Sequence, residues 1–123
     1  MIRGLDHINI GTTRLAETLA FYEGVLGLKP GWRPRFPVSG AWLYAGETAV
    51  VHVVELSADK GPSDLAALDH AAFRIEDYEG CRGRLEAAGL AFREIAVPGA
   101  PIRQIFVTDP NGVTIELNFR PGP

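Results

Sequence analysis

Polar and apolar residues alternate from Leu5 to Gly11, which predicts a strand with His7 and Asn9 on one face and Ile8 and Ile10 on the other. Leu15, Leu19, Tyr22 and Leu26 then recur at helical spacing. Thr12 or Thr13 is placed to cap that helix and Gly27 to end it. Pro30, Gly31, Pro34, Pro37 and Gly40 break the next stretch into a short strand and a semi-rigid loop. Residues 41–45 and 49–56 read as two strands joined at Gly46-Glu47. After a linker around Asp59–Ser63 the pattern starts again. Residues 68–75 alternate, with His70, Ala72 and Arg74 on one face. Asp77 can cap a helix carrying Tyr78, Cys81, Leu85 and Ala88, and Gly89 ends it. Residues 92–97 form a strand. Residues 102–108 and 113–119 form a hairpin around Asp109-Pro110-Asn111-Gly112, a turn suited to Pro early and Gly late.

The chain is therefore predicted to be α+β, with two tandem βαβββ modules. Cupped mixed β-sheets carry helices on their outer faces, and module 1 spans about residues 4–57 and module 2 about 66–120 of a single domain, 1–123. The repeat is also visible residue by residue. Leu5-Asp6-His7 matches Leu68-Asp69-His70 at an offset of 63, Gly27 matches Gly89 at 62, and His52 matches Glu116 at 64. Duplicated units put equivalent residues at symmetry-related points. His7, His52, His70 and Glu116 thus define one candidate coordination site of a type that zinc, nickel, iron, manganese or cobalt accepts. The faces bearing them are polar and helix-free, which makes a natural cavity.

Composition narrows the partners. With 46% hydrophobic and 22% charged residues, the chain reads as an ordinary globular protein. A net charge of −3 with scattered basic residues argues against nucleic acid. No apolar stretch reaches the length of a membrane span and no secretory signal is visible, so no membrane partner is expected. The lone Cys81 excludes a disulfide framework and points to a reducing compartment, the cytoplasm. Cys81 itself lies on the apolar stripe of the second helix and reads as a small hydrophobe.

Four segments carry a family resemblance across Gly4 to Phe119. They are Gly4-Leu5-Asp6-His7, residues 21–28 (FYEGVLGL), Leu68-Asp69-His70, and residues 106–112 (FVTDPNG) followed by Ile115-Glu116-Leu117. With these the chain resembles the vicinal oxygen chelate superfamily: glyoxalase I, extradiol dioxygenases, fosfomycin-modifying enzymes and bleomycin-binding proteins. The resemblance implies paired βαβββ modules, a divalent metal, and a small-molecule substrate that chelates it through adjacent oxygens. It assigns His7, His70 and Glu116 as ligands and puts His52 on the fourth site. Glyoxalase I usually has Glu there, so His52 is a departure, open to use as ligand or as acid–base group. Glu116 and His52 are the candidate catalytic residues.

Around this centre, Gln104 shares a face with Phe106 and Thr108 and is a candidate for binding a substrate carboxylate or amide. Trp32, Phe36, Trp42 and Tyr44 are candidates for an apolar substrate lid, with core packing as the competing role. Asn9 and Arg74 are candidates for orienting the histidines; Arg103 reads as a solvated strand end. The resemblance leads to a metal-dependent glyoxalase I-like lyase or isomerase. The alternatives are a ring-cleaving dioxygenase on ferrous iron, a non-catalytic drug-binding protein, and a thiol-adding antibiotic-modifying enzyme, which should need a cationic pocket for a phosphonate that the sequence does not clearly offer. Phe106 stands where the dioxygenase would use a tyrosine hydroxyl, and the complete ligand set argues against the binding protein. The short linker favours a homodimer in which His7 and His52 of one chain meet His70 and Glu116 of the other, as in small two-module relatives such as glyoxalase I.

Overall fold

A computed structural model describes residues 1–122. The chain divides into two compact units, Met1–Lys60 and Gly61 onward. Together they contain two four-stranded sheets and two α-helices, an α+β arrangement of two tandem modules. Among the described residues no helix is long and apolar enough to cross a membrane.

In the first unit β1 (Ile8–Thr12), α1 (Leu15–Leu19), β2 (Lys29–Pro30), β3 (Gly40–Ala45) and β4 (Thr48–Glu55) follow in order. The sheet runs β1-β4-β3-β2, with β1 parallel to β4 and the other pairs antiparallel. Alternation sorts the side chains: Ile10, Thr12, Leu43, Val51 and Val53 are buried, whereas Asn9 is exposed and His52 half-buried. The helix packs Phe21 and Tyr22 into this core, and Thr18 Oγ1 meets Thr12 Oγ1 at 3.1 Å.

Two details depart from the expected helix. Neither Thr12 nor Thr13 caps it. The cap position is Arg14, whose N–H donates to Thr12 Oγ1 (2.7 Å), while Thr13 donates to Asp59 (2.5 Å). The helix also widens into a π-helical turn over Ala20–Val25, with Leu26 N–H donating to Phe21 O at 3.1 Å. The residue stripe at three and four spacing cannot reveal that widening. Gly27 still ends the element with φ 79°, a left-handed conformation that favours glycine.

The second unit repeats the plan with β5 (His70–Arg74), α2 (Tyr78–Ala87), β6 (Phe92–Ala96), β7 (Arg103–Thr108) and β8 (Thr114–Phe119). Its sheet runs β5-β8-β7-β6, with β5 parallel to β8. Asp77 caps α2 by accepting from Gly80 N–H at 2.9 Å. Ile105, Val107, Ile115 and Leu117 are buried on the helix-facing side with Tyr78 and Leu85. Burying a side chain of this size contributes about 1.5–3 kcal/mol. Asp109 closes the β7–β8 turn by accepting from Asn111 and Val113 N–H, both at 2.8 Å.

The register defines the other face of this sheet. Ala72, Glu116, Phe106 and Arg93 lie in one row across β5, β8, β7 and β6, and His70, Thr114 and Thr108 in the next. Helix-side burial thus leaves the chemically interesting side chains together on the face that the core does not need.

Candidate metal centre

Each unit presents one histidine immediately after an aspartate, and the two are held alike. Asp6 Oδ1 lies 2.6 Å from His7 Nδ1, and Asp69 Oδ1 lies 2.9 Å from His70 Nδ1. A carboxylate on Nδ1 stabilises the tautomer with its proton there and turns the Nε2 lone pair outward, which is the usual support for a metal-ligating histidine. Asn9 and Arg74 do not take this role. Asn9 is exposed, and Arg74 donates to the Gly122 carbonyl at 3.1 Å. The orienting groups that residue-type reasoning missed are Asp6 and Asp69. Their signal was present in the doubled Leu-Asp-His motif.

In the second unit His70 Nε2 lies 3.2 Å from Glu116 Oε1. Two donors each about 2.0–2.2 Å from one ion stand about 2.9–3.5 Å apart on neighbouring corners of an octahedron or tetrahedron, so this pair fits a divalent ion. Glu116 is only 7% exposed, and Gln104 Nε2 donates to its other oxygen at 3.1 Å. Gln104 therefore sits as a partner of Glu116. Phe106 lies edge-on to His70, with ring centroids 6.1 Å apart.

In the first unit His7 and His52 stack at 3.7 Å, and Trp42 stacks on the far side of His52 at 4.0 Å. The β3–β4 register sets Trp42 opposite His52, and His7, two residues before the β1 partner Asn9, brings its ring onto the other side. Burial, and then the neighbouring His7 ring, push the His52 pKa below the ordinary histidine value. Both effects favour the neutral imidazole, the form a metal ligand or general base requires. Trp32 meets Trp42 edge-on at 5.8 Å, and Tyr44 O–H donates to the Trp32 carbonyl at 2.6 Å. These rings and the two histidines line an open hollow of about 570 Å³. Trp32 is 70% exposed and Phe36 48%, so neither is core. Arg103 is not simply solvated: it covers the Tyr78 ring at 3.6 Å. Burial raises the Cys81 thiol pKa, which leaves little thiolate for nucleophilic chemistry.

The donors therefore come as two pairs, His7 with His52 and His70 with Glu116. Among the described residues no three His, Cys, Asp or Glu side chains gather into one metal-holding group. Asp69→Ala is expected to weaken metal binding by about 10- to 100-fold, because His70 loses the group that fixes its tautomer and ring orientation. Isothermal titration of the metal-free variant with zinc checks this, and an affinity equal to that of the parent chain would remove the positioning role.

Two tandem βαβββ modules, each with histidine or carboxylate side chains on the sheet face away from its helix, define the fold class of this protein. The chain belongs to the Glyoxalase/Bleomycin resistance protein/Dioxygenase superfamily, whose sequence model matches residues 4–117. It is 27% identical over 122 residues to Glyoxylase I 4 of Arabidopsis thaliana, covering 94% of this chain and 70% of that protein. A glyoxylase/bleomycin resistance protein/dioxygenase domain from Frankia sp. EAN1pec shares the fold with a TM-score of 0.81 at 20% identity, covering 98% of this chain and 100% of that one. A variant of the fosfomycin resistance protein FosX from Listeria monocytogenes, solved with Mn(II) and 1S,2S-dihydroxypropylphosphonic acid, has a TM-score of 0.78 at 19% identity, with 98% and 95% coverage.

Proposed function

We propose that this chain is a metal-dependent lyase or isomerase of the glyoxalase I type, acting on a small substrate with adjacent oxygens. The observation that carries this reading is the pair of Asp-held histidines, one of them 3.2 Å from a buried carboxylate. His7, His52, His70 and Glu116 would hold the ion. Bound there, a divalent ion supplies Lewis-acid stabilisation of negative charge developing on a substrate oxygen.

The chain's own residues handle orientation and the proton. Glu116, held by Gln104 and His70, is aimed in one direction and can remove a proton beside the chelating oxygens and return it to the neighbouring carbon. His52, biased toward its neutral form and sandwiched between His7 and Trp42, is the second group able to carry that proton. Trp32, Trp42 and Tyr44 form an apolar wall on the His7 side, and Phe106 one on the His70 side. These walls bind the substrate body and exclude water.

Each unit supplies two donors, whereas a protein metal site takes three or four. The linker around Asp59–Ser63 is short, which favours units from two different chains, and we infer a homodimer in which the His7–His52 pair of one chain and the His70–Glu116 pair of a second complete each other.

A ring-cleaving dioxygenase is the second reading, because two histidines and a carboxylate also suit ferrous iron. Phe106, which faces the His70 hollow without a hydroxyl, ranks it lower. Elemental analysis of protein purified without added metal, followed by assays of the reconstituted protein, tests both. Hemithioacetals are expected to turn over, and simple catechols to consume no oxygen. Rapid yellow ring-fission product from the ferrous protein would overturn this order.

A further inference from the structure

We propose that Arg93 determines specificity by selecting substrates that carry an anionic oxyacid group, a carboxylate or phosphonate, beside their chelating oxygens. This inference rests on the metal-site reading above. Arg93 and Glu94 are consecutive on β6 and so point to opposite faces of the sheet. Glu94 is engaged on the helix side, accepting from Tyr78 O–H at 2.6 Å and lying 3.4 Å from Arg82. Arg93 is on the other face, in the row with Phe106 and Glu116.

Its guanidinium lies over the Phe106 ring, 4.5 Å from the centroid, and lines the same hollow of about 650 Å³ as His70 and Phe106. The ring face holds the guanidinium beside the hollow, and among the described residues no hydrogen bond occupies its N–H groups, which can meet two oxygens of an oxyacid with parallel hydrogen bonds. Among the described residues no acidic side chain is paired with it. Arg82 and Arg103, by contrast, are paired with Glu79. Two carboxylates share the rim of the hollow. Asp69 is engaged on His70 Nδ1, and Asp64 is exposed on a short turn.

Spacing sets the substrate's size. Neighbouring strands lie about 4.8 Å apart, so the Arg93 and Glu116 backbones are about 10 Å apart, with Phe106 between them. With the side chain folded back over Phe106, a tether of two or three carbons spans the distance from the chelating oxygens to the guanidinium.

Hydroxamates make suitable probes. Acetohydroxamate chelates through two adjacent oxygens and carries no further charge. Succinomonohydroxamate adds a carboxylate on a two-carbon tether, and its phosphonate analogue replaces that carboxylate. Each is titrated calorimetrically into the zinc-loaded protein and its Arg93→Met and Arg93→Lys variants, whose folding is checked by circular dichroism.

The parent chain is expected to prefer one of the anionic probes to acetohydroxamate by about tenfold or more. Arg93→Met should erase that preference without changing acetohydroxamate affinity, and Arg93→Lys should keep only part of it. The anionic probe that binds more tightly identifies the oxyacid. Equal binding of all three probes by the parent chain would overturn the proposal and leave the metal site standing. Equal weakening of all probes in Arg93→Met would make Arg93 structural and also overturn it. Failure of acetohydroxamate to bind the zinc-loaded parent chain would instead overturn the metal-site reading, and this inference with it.

Discussion

Glu116→Ala is expected to lower metal affinity by about a hundredfold or more while the fold survives. Loss of a supporting group around a metal ligand already costs about 10- to 100-fold, and Glu116 is assigned as a ligand itself. The substitution removes the carboxylate beside His70 Nε2 and leaves the Gln104 amide without its acceptor. It does not touch Ile115 or Leu117, which carry the buried face of β8. His7→Ala and His70→Ala should behave alike. The measurement is metal content after dialysis against a weak chelator, alongside thermal melts of the metal-free proteins. If all three variants keep full occupancy, the site is misassigned.

The second large effect is complementation between two inactive chains. His7→Ala and Glu116→Ala are each expected to bind metal poorly alone. After subunit exchange, half of the dimers are mixed. In each of these, one site lacks both ligands and the other is intact, so about one quarter of the parental metal sites should return. Sites built within one chain would give no recovery at any mixing ratio. A monomer in sedimentation at micromolar concentration would reject the shared site independently.

Much of this architecture was legible because its causes are local. Alternation in residues 5–11 and 68–75 specifies strands, since successive side chains point to opposite faces. Gly27 and Gly89 end helices because each adopts a positive φ, at 79° and 69°. Asp77 caps α2 through a bond three residues away, a distance that sequence spacing expresses directly. The first helix was less legible. Thr12 carries the same hydroxyl a cap would use, but burial beside Thr18 draws it to Arg14 N–H instead. The widened turn at Ala20–Val25 likewise leaves no mark in a three-and-four stripe.

The same division runs through the site. Sequence by itself determined which donors exist and that they are duplicated: three histidines, one matched glutamate, and an aspartate before each of two histidines. Residue order and period carry that information. Tertiary structure decided what those groups do to each other. The register of β8 on β7 brings Gln104 to Glu116, and the β3–β4 register stacks Trp42 on His52. The β6–β7 pairing lays Arg93 over Phe106. These contacts join residues 10–13 positions apart, and their existence depends on strand pairing across a turn. A one-residue slip in that pairing would send each side chain to the opposite face, so only the folded sheet could decide them.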